Sequence, residues 1–455
     1  MTAENDWTLD PYFEVPEQSS VDHGSTNIGP LWHVASQRWG HSMHTMCPYQ
    51  GMFPPKIAHY FIQKYSSPGS MVLDPFSGRG TTVLQARVEG REAIGNDLSP
   101  LAFVLTSAKA NPPPWDHMMR YIDELEKIYE AEGRREPDVG DEIRMLFASE
   151  TLNQLWFLRE RLLSSRMKQW TSRDFMMAGG IAGILHGATR SDGTSAFLSI
   201  SMPNTFSMAP AYVRKYIHEH GLTPPEQNVF TRLREKLARL YADDPAGPAC
   251  SAAHRDAASF MQEKALKSQI DLIVTSPPYM KVVNYGTSNW IRLWWLGLEG
   301  VSRQGGAGRR FLDDALDHGH SYEAYEQFIK HLLHGVRNCL KPNGVAAIVI
   351  GDVASPDGTA VALAERLWRE LGSQSGLRMV EMIEDDLPSQ QKVSRIWGET
   401  RGQATDRDCI LVLTQERGRP IICDDIDWGE PYRDGGPDAA HQLLRGLVPR
   451  VTMTA

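Results

Sequence analysis

Two short stretches of this sequence carry side chains suited to binding and modifying a small aromatic ring. The first is the loop Ser276-Pro277-Pro278-Tyr279, which follows the apolar run Leu272 to Val274. That run is typical of a buried strand in a parallel sheet. Two successive prolines cannot continue the strand, because each fixes φ and removes a backbone donor. The strand must therefore end in a rigid loop that presents hydroxyl and carbonyl acceptors beside one aromatic ring.

Acceptors beside a ring are suited to the exocyclic amino group of a nucleobase. The Ser276 side chain and the Pro277 carbonyl can accept the two hydrogens of that group, and the Tyr279 ring can stack on a base taken out of its helix. Accepting those hydrogens pulls the nitrogen towards tetrahedral geometry and frees a lone pair that is otherwise delocalised. The alternative is that the tetrapeptide is only a strand-ending turn with a buried tyrosine, since such short motifs occur by chance.

The second stretch is a glycine-rich turn that predicts a nucleotide-type cofactor site. Asp74-Pro-Phe-Ser-Gly-Arg-Gly-Thr-Thr82 lies between the apolar Met71 to Leu73 and a helical pattern. In this strand-turn-helix context, Gly78 and Gly80 let a cofactor approach the backbone at a helix N-terminus. The next predicted strand, Glu92 to Asp97, ends in a carboxylate 19 residues after Gly78. A ribose-binding carboxylate follows such a turn at a spacing of about 20 residues.

Together the two stretches closely resemble the S-adenosylmethionine-dependent DNA amino-methyltransferases, whose hallmarks are a DPFxGxGTT cofactor loop and an (S/N/D)PP(Y/F) catalytic loop. The serine in Thr275-Ser-Pro-Pro-Tyr279 is most similar to the cytosine-N4 branch of that family. Gln50-Gly-Met-Phe-Pro-Pro-Lys-Ile57 is similar to the segment just before the cofactor loop, and Asp256-Ala257 to the short acidic motif that contacts the adenine. The resemblance covers both ends of the chain but not its middle.

The resemblance implies an α/β fold: a doubly wound, mostly parallel, seven-stranded Rossmann-like methyltransferase sheet with a helical inserted domain. It implies direct transfer of a methyl group from S-adenosylmethionine to the N4 amino group of a flipped cytosine in DNA, at a specific site. The catalytic residues are then Ser276, Pro277, Pro278 and Tyr279. The cofactor-binding residues are Phe53, Pro54, Asp74, Pro75, Phe76, Gly78, Gly80, Thr81, Thr82, Asp97, Asp256, Ala257 and Thr275.

Three other activities stay open: an adenine-N6 DNA methyltransferase, an RNA guanine-N2 methyltransferase with the same loop, and a catalytically silent cofactor-binding module. The silent module is disfavoured because the sequence retains the glycines of the turn together with Asp97, Ser276 and Tyr279. Methylation of a ring carbon is disfavoured, because it requires a cysteine nucleophile, usually in a Pro-Cys dipeptide, and the sequence has none. A sulfonium methyl needs positioning rather than a metal, so no metal site is predicted.

Composition sets the broad class of the protein. The 455 residues, 41% of them hydrophobic, can bury a large core and suffice for two or more domains. No apolar run approaches the length that spans a bilayer, and the polar N-terminus is unlike a secretory signal, so we expect a cytoplasmic, nucleoid-associated protein. The five scattered cysteines are expected to be core or surface thiols. A formal charge of -9 argues against a protein that coats nucleic acid, although binding one DNA site requires only a local positive groove.

Breaks in the pattern divide the chain into five segments. We predict an N-terminal arm at 1–40, a cofactor-binding half at 41–110, a mainly helical insertion at 111–249, a catalytic half at 250–415 and a C-terminal tail at 416–455. Asn111-Pro-Pro-Pro-Trp115 marks the start of the insertion. The sheet resumes only at Asp256, 159 residues after Asp97. Apolar residues at helical spacing indicate that the insertion is a helical scaffold.

Two polar regions are predicted to contact DNA. In the insertion, Ser199 to Met208 and the residues after it combine hydroxyls, an amide and cations, which suit base edges and phosphates. Near the end of the catalytic half, a loop interleaves basic and aromatic residues. The predicted DNA-binding residues are Asn204, Arg214, Lys215, Lys392, Arg395 and Arg401. A connecting loop and a solvated surface helix are the alternatives for the first region. The expected partners are DNA and, by the resemblance, a cognate restriction or phage-defence system, with no membrane.

Overall fold

The computed structural model of the protein describes residues 26–27, 40–51, 54–189, 195, 197–202, 208–278, 285–298, 322–354, 360–386, 404–423 and 426–428. Six of the predicted site residues lie outside these ranges, namely Phe53, Asn204, Tyr279, Lys392, Arg395 and Arg401.

The strands of the described chain form one sheet. Two of them have only two residues each, β1 (Thr26–Asn27) and β7 (Ala360–Val361). The others are β2 (Met71–Asp74), β3 (Glu92–Asp97), β4 (Ser251–His254), β5 (Ile270–Thr275), β6 (Leu340–Ala354), β8 (Leu377–Asp386) and β9 (Ala404–Gln415). Their order is β8-β9-β6-β5-β2-β3-β4, with β1 beside β8 and β7 beside β6. Neighbours pair in parallel from β4 to β6, and β9 runs antiparallel to β6 and β8. The predicted seven-stranded, mostly parallel sheet is confirmed.

Helices connect and cover these strands. They are α1 (Pro55–Tyr65), α2 (Thr81–Val88), α3 (Pro100–Ala110), α4 (Trp115–Glu132), α5 (Asp141–Arg144), α6 (Ser149–Leu163), α7 (Ser172–Leu185), α8 (Pro210–His220), α9 (Val229–Leu240), α10 (Ala257–Phe260), α11 (Tyr285–Ser288), α12 (Trp290–Trp295), α13 (Tyr322–Cys339) and α14 (Leu363–Ser375). Short 3-10 helices occupy Ser42–Thr45, Met167–Gln169 and Lys264–Leu266.

The central strands are buried on both faces. In β5, Leu272 and Val274 join the core that contains α1, whereas Ile273 joins the core that contains α13 and α14. Successive strand residues point to opposite faces, so a strand between two helical layers is apolar throughout. This explains the uninterrupted apolar run at β5 and makes the sheet doubly wound.

Helices α4 to α9, which lie between β3 and β4 in sequence, share a third core with α3 and α12. Two buried arginines join this region to α12. Arg159 of α6 donates from Nε to the carbonyl of Trp294 at 2.9 Å. Arg292 of α12 donates to the carbonyls of Ala182 and His186, at the C-terminal end of α7, at 3.1 and 3.0 Å. The helical region is therefore packed against the catalytic half, and its domain boundaries at 111 and 249 stay predictions.

The cysteines are free thiols, with Cys47, Cys250, Cys339 and Cys409 buried and Cys423 exposed, as expected for core and surface thiols. No helix in the described ranges combines the length and apolar character needed to cross a membrane.

Candidate active site

The turn between β2 and α2 forms one wall of the site. Gly78 and Gly80 have φ of 50° and 77°, a left-handed conformation that favours glycine. Gly80 is the N-cap of α2, and a Cβ atom there would lie 3.0 Å from the Thr106 backbone. The turn is closed by the amide of Gly80, which donates to the carbonyl of Ser77 at 2.7 Å, and by the amide of Ser77, which donates to the carbonyl of Asn96 at 2.8 Å.

Asp74 joins this turn to the catalytic loop. Its side chain is 1% exposed, and Oδ1 accepts hydrogen bonds from Thr275 Oγ1 at 2.7 Å and from the Phe76 amide at 3.2 Å. In the other direction, Thr82 donates its hydroxyl to the Val274 carbonyl at 3.1 Å. Burial raises the pKa of Asp74 to about 7, although the hydroxyl of Thr275 acts against that shift. Side chains from each motif thus fix the end of β2 against the end of β5.

Asp97, at the end of β3, directs its carboxylate at the glycine turn. Oδ2 accepts a hydrogen bond from the Gly78 amide and Oδ1 accepts one from the Ser99 amide, both at 2.8 Å. Burial raises the pKa of Asp97 to about 6, and the backbone donors of Ser99 and Gly78 oppose the shift. The carboxylate is therefore ionised at neutral pH, and each oxygen has a further lone pair for a ligand hydroxyl.

These groups meet at one cavity of about 340 Å³, within the range of about 300 to 1,000 Å³ that is typical of small-molecule sites. The predicted residues that line it are Phe76, Gly78, Asp97, Asp256, Ala257, Ser276 and Pro278. The glycine turn therefore shares one site with the acidic motif and the described part of the catalytic loop, which both lie more than 170 residues further along the chain.

The remaining described residues predicted for the site do not line the cavity: Pro54, Asp74, Pro75, Gly80, Thr81, Thr82, Thr275 and Pro277. Asp74, Thr81, Thr82 and Thr275 are at most 4% exposed. Pro54 is the N-cap of α1. These residues support the backbone of the turn and the loop and do not line the cavity. Membership in a motif does not by itself show which residues support the backbone and which contact a ligand.

Sequence reasoning missed the other lining residues, which are Tyr49, Gly51, Leu98, Ser99, Ala258, Met261, Tyr285, Ala324, Gln327, Phe328, His331 and Leu332. Gly51 lies within the segment Gln50 to Ile57 that resembles the family and Tyr49 directly precedes it, so their position was the available signal. The residues from 324 to 332 belong to α13, which carries no motif, and only the packing of α13 on the sheet brings them to the cavity.

The cavity has two chemically different walls. One wall includes Phe76, Met261, Phe328 and Leu332, which pack within the apolar core of α13 and α14. The rings of Phe76 and Phe328 meet edge to face with centroids 5.6 Å apart. The other wall includes Tyr49 and Tyr285, which pack with the core shared by α3, α7 and α12. Asp256, which also lines the cavity, caps α10 by accepting a hydrogen bond from the Ser259 amide at 2.9 Å.

The predicted DNA-binding residues within the described ranges are Arg214 and Lys215, both exposed on α8. Lys215 Nζ lies 3.6 Å from the carboxylate of Glu219. The carbonyl of Met208, just before α8, accepts a hydrogen bond from Trp290 Nε1 at 2.7 Å. Because Trp290 begins α12, this bond anchors the start of α8 to the segment that follows the catalytic loop.

Comparison with known proteins gives matches for parts of the chain. Residues 1–103 match the DNA methylase family N6_N4_Mtase. The type II methyltransferase M.MjaII of Methanocaldococcus jannaschii is 36% identical over 67 residues, which are 15% of this chain and 13% of that protein. The type II methyltransferase M.BsoBI of Geobacillus stearothermophilus is 22% identical over 275 residues, 57% of this chain and 53% of that protein.

The aligned segments thus span from about one-eighth to about one-half of these curated relatives. Among solved structures, the rRNA methyltransferase aviRa of Streptomyces viridochromogenes is 12% identical, with 82% of this chain and 88% of that chain covered. Its TM-score of 0.29 is too low to support a conclusion about fold or function.

Proposed function

We propose that this chain, whose residues 1–103 match the DNA methylase family N6_N4_Mtase, transfers a methyl group from S-adenosylmethionine to the N4 amino group of cytosine in DNA. One observation carries the proposal. The hydrogen bond from Thr275 to Asp74 joins the ends of β2 and β5, and Gly78, Asp97 and Ser276 face the same cavity. A methyl donor at the turn and an amino group at the loop are then neighbours.

The residues present fit S-adenosylmethionine. The apolar wall of Phe76, Phe328 and Leu332 suits an adenine ring, and Asp97 suits the ribose hydroxyls. The glycines of the turn, at positive φ, let a ligand approach the backbone without a side chain in the way. Among the described lining residues, Asp97 and Asp256 are acidic and none is lysine or arginine. That balance favours a ligand with net positive charge, and the donor has one.

The protein's own residues then position the acceptor. When bound, the donor supplies an electrophilic methyl group on its sulfonium. Ser276, which is half-buried, and the carbonyl of Pro277 accept the hydrogens of the amino group, and Tyr279 stacks on the flipped base. The two prolines fix the loop, and Asp74 with Thr275 fixes its start, so the acceptors for the amino group are held in place beside the glycine turn, where the methyl donor would bind.

The choice of cytosine rests on the serine at position 276. The same proposal has four further parts. The substrate is DNA, and α8 and the loop that contains Lys392 contact it. The protein is cytoplasmic, and it acts in a restriction or phage-defence context. The match of residues 1–103 to a DNA methylase family supports DNA, and the exposed cations of α8 support the contact.

Mass spectrometry of nucleosides tests the assignment. DNA treated with the protein and S-adenosylmethionine is expected to contain N4-methylcytosine. N6-methyladenine as the sole new nucleoside would move the enzyme to the adenine branch, and a methylated base found only in RNA would overturn the substrate.

A matched pair of variants ties the activity to this site. Thr275→Val removes the donor to Asp74 and should cost about 1 to 3 kcal/mol of stability and most of the methyl transfer. Thr414→Val removes an equally buried hydroxyl, which donates to the Gly344 carbonyl at 2.8 Å on the far strand β9. We expect a similar loss of stability but normal transfer. Equal transfer by the two variants would contradict the role of the Thr275 hydroxyl.

A further inference from the structure

Two neighbouring tyrosine rings, Tyr49 and Tyr285, line the cavity. The centroids of Tyr49 and Tyr285 are 5.9 Å apart and their planes are inclined by 36°. Tyr49 is 4% exposed, and its Cε1 lies 3.4 Å from the position that a Cβ atom of Gly78 would take. The Tyr49 ring therefore lies against the glycine turn, on the side of the cavity that also contains Asp97.

Tyr285 extends this aromatic surface towards the catalytic loop. It comes from α11, the helix that follows the loop in sequence. Its hydroxyl would lie 2.9 Å from a Cβ atom at position 51, where glycine with φ of 70° leaves the space open. Its backbone carbonyl accepts a hydrogen bond from Asn289 Nδ2 at 3.0 Å, which fixes the first turn of the helix. Ser276 and Pro278 line the same cavity.

The Tyr49 ring carries no charge of its own at neutral pH. Burial, followed by the neighbouring Asp97 and Tyr285, raises the pKa of Tyr49 well above its ordinary value, so the phenol stays protonated. A neutral tyrosine attracts a cation to the face of its ring. Asp97 and Asp256 add negative charge to the cavity, and no lysine or arginine among the described lining residues opposes it.

We propose that Tyr49 and Tyr285 form a cation-binding wall through which the cavity prefers the charged methyl donor to its neutral demethylated product. The inference rests on the proposed function in that S-adenosylmethionine is the donor. Loss of the methyl group as a cation equivalent converts the sulfonium to a neutral thioether, so S-adenosylhomocysteine keeps the adenosine and amino acid but not the positive sulfur. The wall then favours release of the spent cofactor.

Calorimetric titration of the full chain tests this without any turnover. The ligands are S-adenosylmethionine, an analogue with a protonated amine in place of the methylsulfonium, and S-adenosylhomocysteine. The unmodified protein should bind both cationic ligands several-fold more tightly than the neutral one. Tyr285→Leu should weaken the two cationic ligands by about 3- to 10-fold and S-adenosylhomocysteine by less than about twofold. Tyr285→Phe, which keeps the ring, should retain the preference.

Phe328→Leu is the matched control, since it removes a ring from the apolar wall of the same cavity. It should weaken the charged and neutral ligands equally. Equal weakening by Tyr285→Leu would overturn the inference and leave the proposed function intact. If Tyr285→Leu does not fold, the affinities of the unmodified protein test the inference. Tighter binding of S-adenosylhomocysteine than of both cationic ligands would also overturn the inference. Failure of all three ligands to bind would instead refute the proposed function.

Discussion

The carboxyl group of Asp74 is buried at the end of β2, just before the glycine turn, and this burial raises its pKa from 3.8 to about 7. Between these pH values the folded protein retains a proton that the unfolded chain releases. The free energy of unfolding therefore falls as pH rises through this window, because the native state binds more protons. Asp97, with a pKa raised to about 6, acts in the same direction over the lower part of the window.

We expect Asp74→Asn to remove most of this pH dependence. The amide oxygen can still accept the hydrogen bond from Thr275, but the side chain is neutral at every pH. Relative to the unmodified protein, the variant should gain about 2 to 4 kcal/mol of stability between pH 4 and pH 8. Urea unfolding at several pH values checks this. Parallel pH profiles for the two proteins would show that the Asp74 carboxyl does not titrate in that window.

At the residue scale, residue type and spacing predicted a chemistry but not which side chains line the cavity. Gly78, Asp97 and Ser276 line the cavity as their motifs indicate, because each lies where a strand meets its loop. Tyr285 and His331 line it as well, yet neither lies in a recognisable pattern. Packing of α11 and α13 places these two side chains, and packing depends on the whole chain.

Helix α7 crosses the segment that leads to Tyr49 at very short distance. A Cβ atom at Gly183 would lie 1.8 Å from the carbonyl oxygen of Met46, and one at Gly179 would lie 2.9 Å from the Met46 sulfur. Only helix glycines permit this backbone approach. The position of Tyr49 in the cavity wall therefore depends on a helix from the region between β3 and β4.

Gly183→Ala should lower the free energy of unfolding by about 2 to 4 kcal/mol, because the methyl group must displace backbone rather than a flexible side chain. Gly140→Ala is the control, since its Cβ atom would meet nothing nearer than Glu142 Cγ at 3.9 Å. That change should stay within about 0.5 kcal/mol of neutral. Chemical denaturation measures both. Stabilisation by Gly183→Ala, as helix propensity alone would give, would show that the crossing relaxes easily.

At the element scale, the strands buried on both faces were predictable and the edge strands were not. The apolar runs of β2, β5, β6 and β9 follow from burial between two helical layers. β4 has only exposed and half-buried residues, so its sequence gives no apolar run, and the sheet resumes at Ser251 rather than at the predicted Asp256. β8 mixes apolar with charged residues along its length and was likewise not predicted.

Over the whole molecule, the formal charge of -9 is unfavourable for DNA, so the proposed DNA binding requires local cations. The exposed Arg214 and Lys215 on α8 are such cations, next to the segment anchored by Trp290. Lys341 offers a contrast, because it pairs with Asp271 at the amino ends of β5 and β6, the edge opposite the cavity.

Arg214→Ala should weaken binding to all DNA sequences alike and lower the slope of log affinity against log salt concentration by about one. Lys341→Ala makes the same change in net charge and should leave that slope unaltered. Fluorescence anisotropy with duplex DNA over a salt series measures both slopes. Equal slopes for the two variants would remove α8 from the DNA-binding surface.

The overall architecture was the most predictable level. A glycine turn after one strand and a proline pair after another require parallel strands whose carboxyl ends share an edge, and the sheet order provides that. How helices α4 to α9 pack on the rest of the chain was harder to predict from the sequence. Apolar stripes indicate helices but do not indicate which elements those helices contact. These helices pack in one core with α3 and α12.

The guanidinium groups of Arg159 and Arg292 bear on how a protein of this kind can change its sequence preference over evolutionary time. A recognition module attached only by linkers can be exchanged whole between relatives. Here the exchange would remove Arg159, the donor to the Trp294 carbonyl, and would also remove the Ala182 and His186 carbonyls, which accept from the buried Arg292. On the proposal that α4 to α9 contact DNA, new specificity would then arise by substitution on the outer surfaces of these helices, while their inner surfaces are inherited together with the catalytic half.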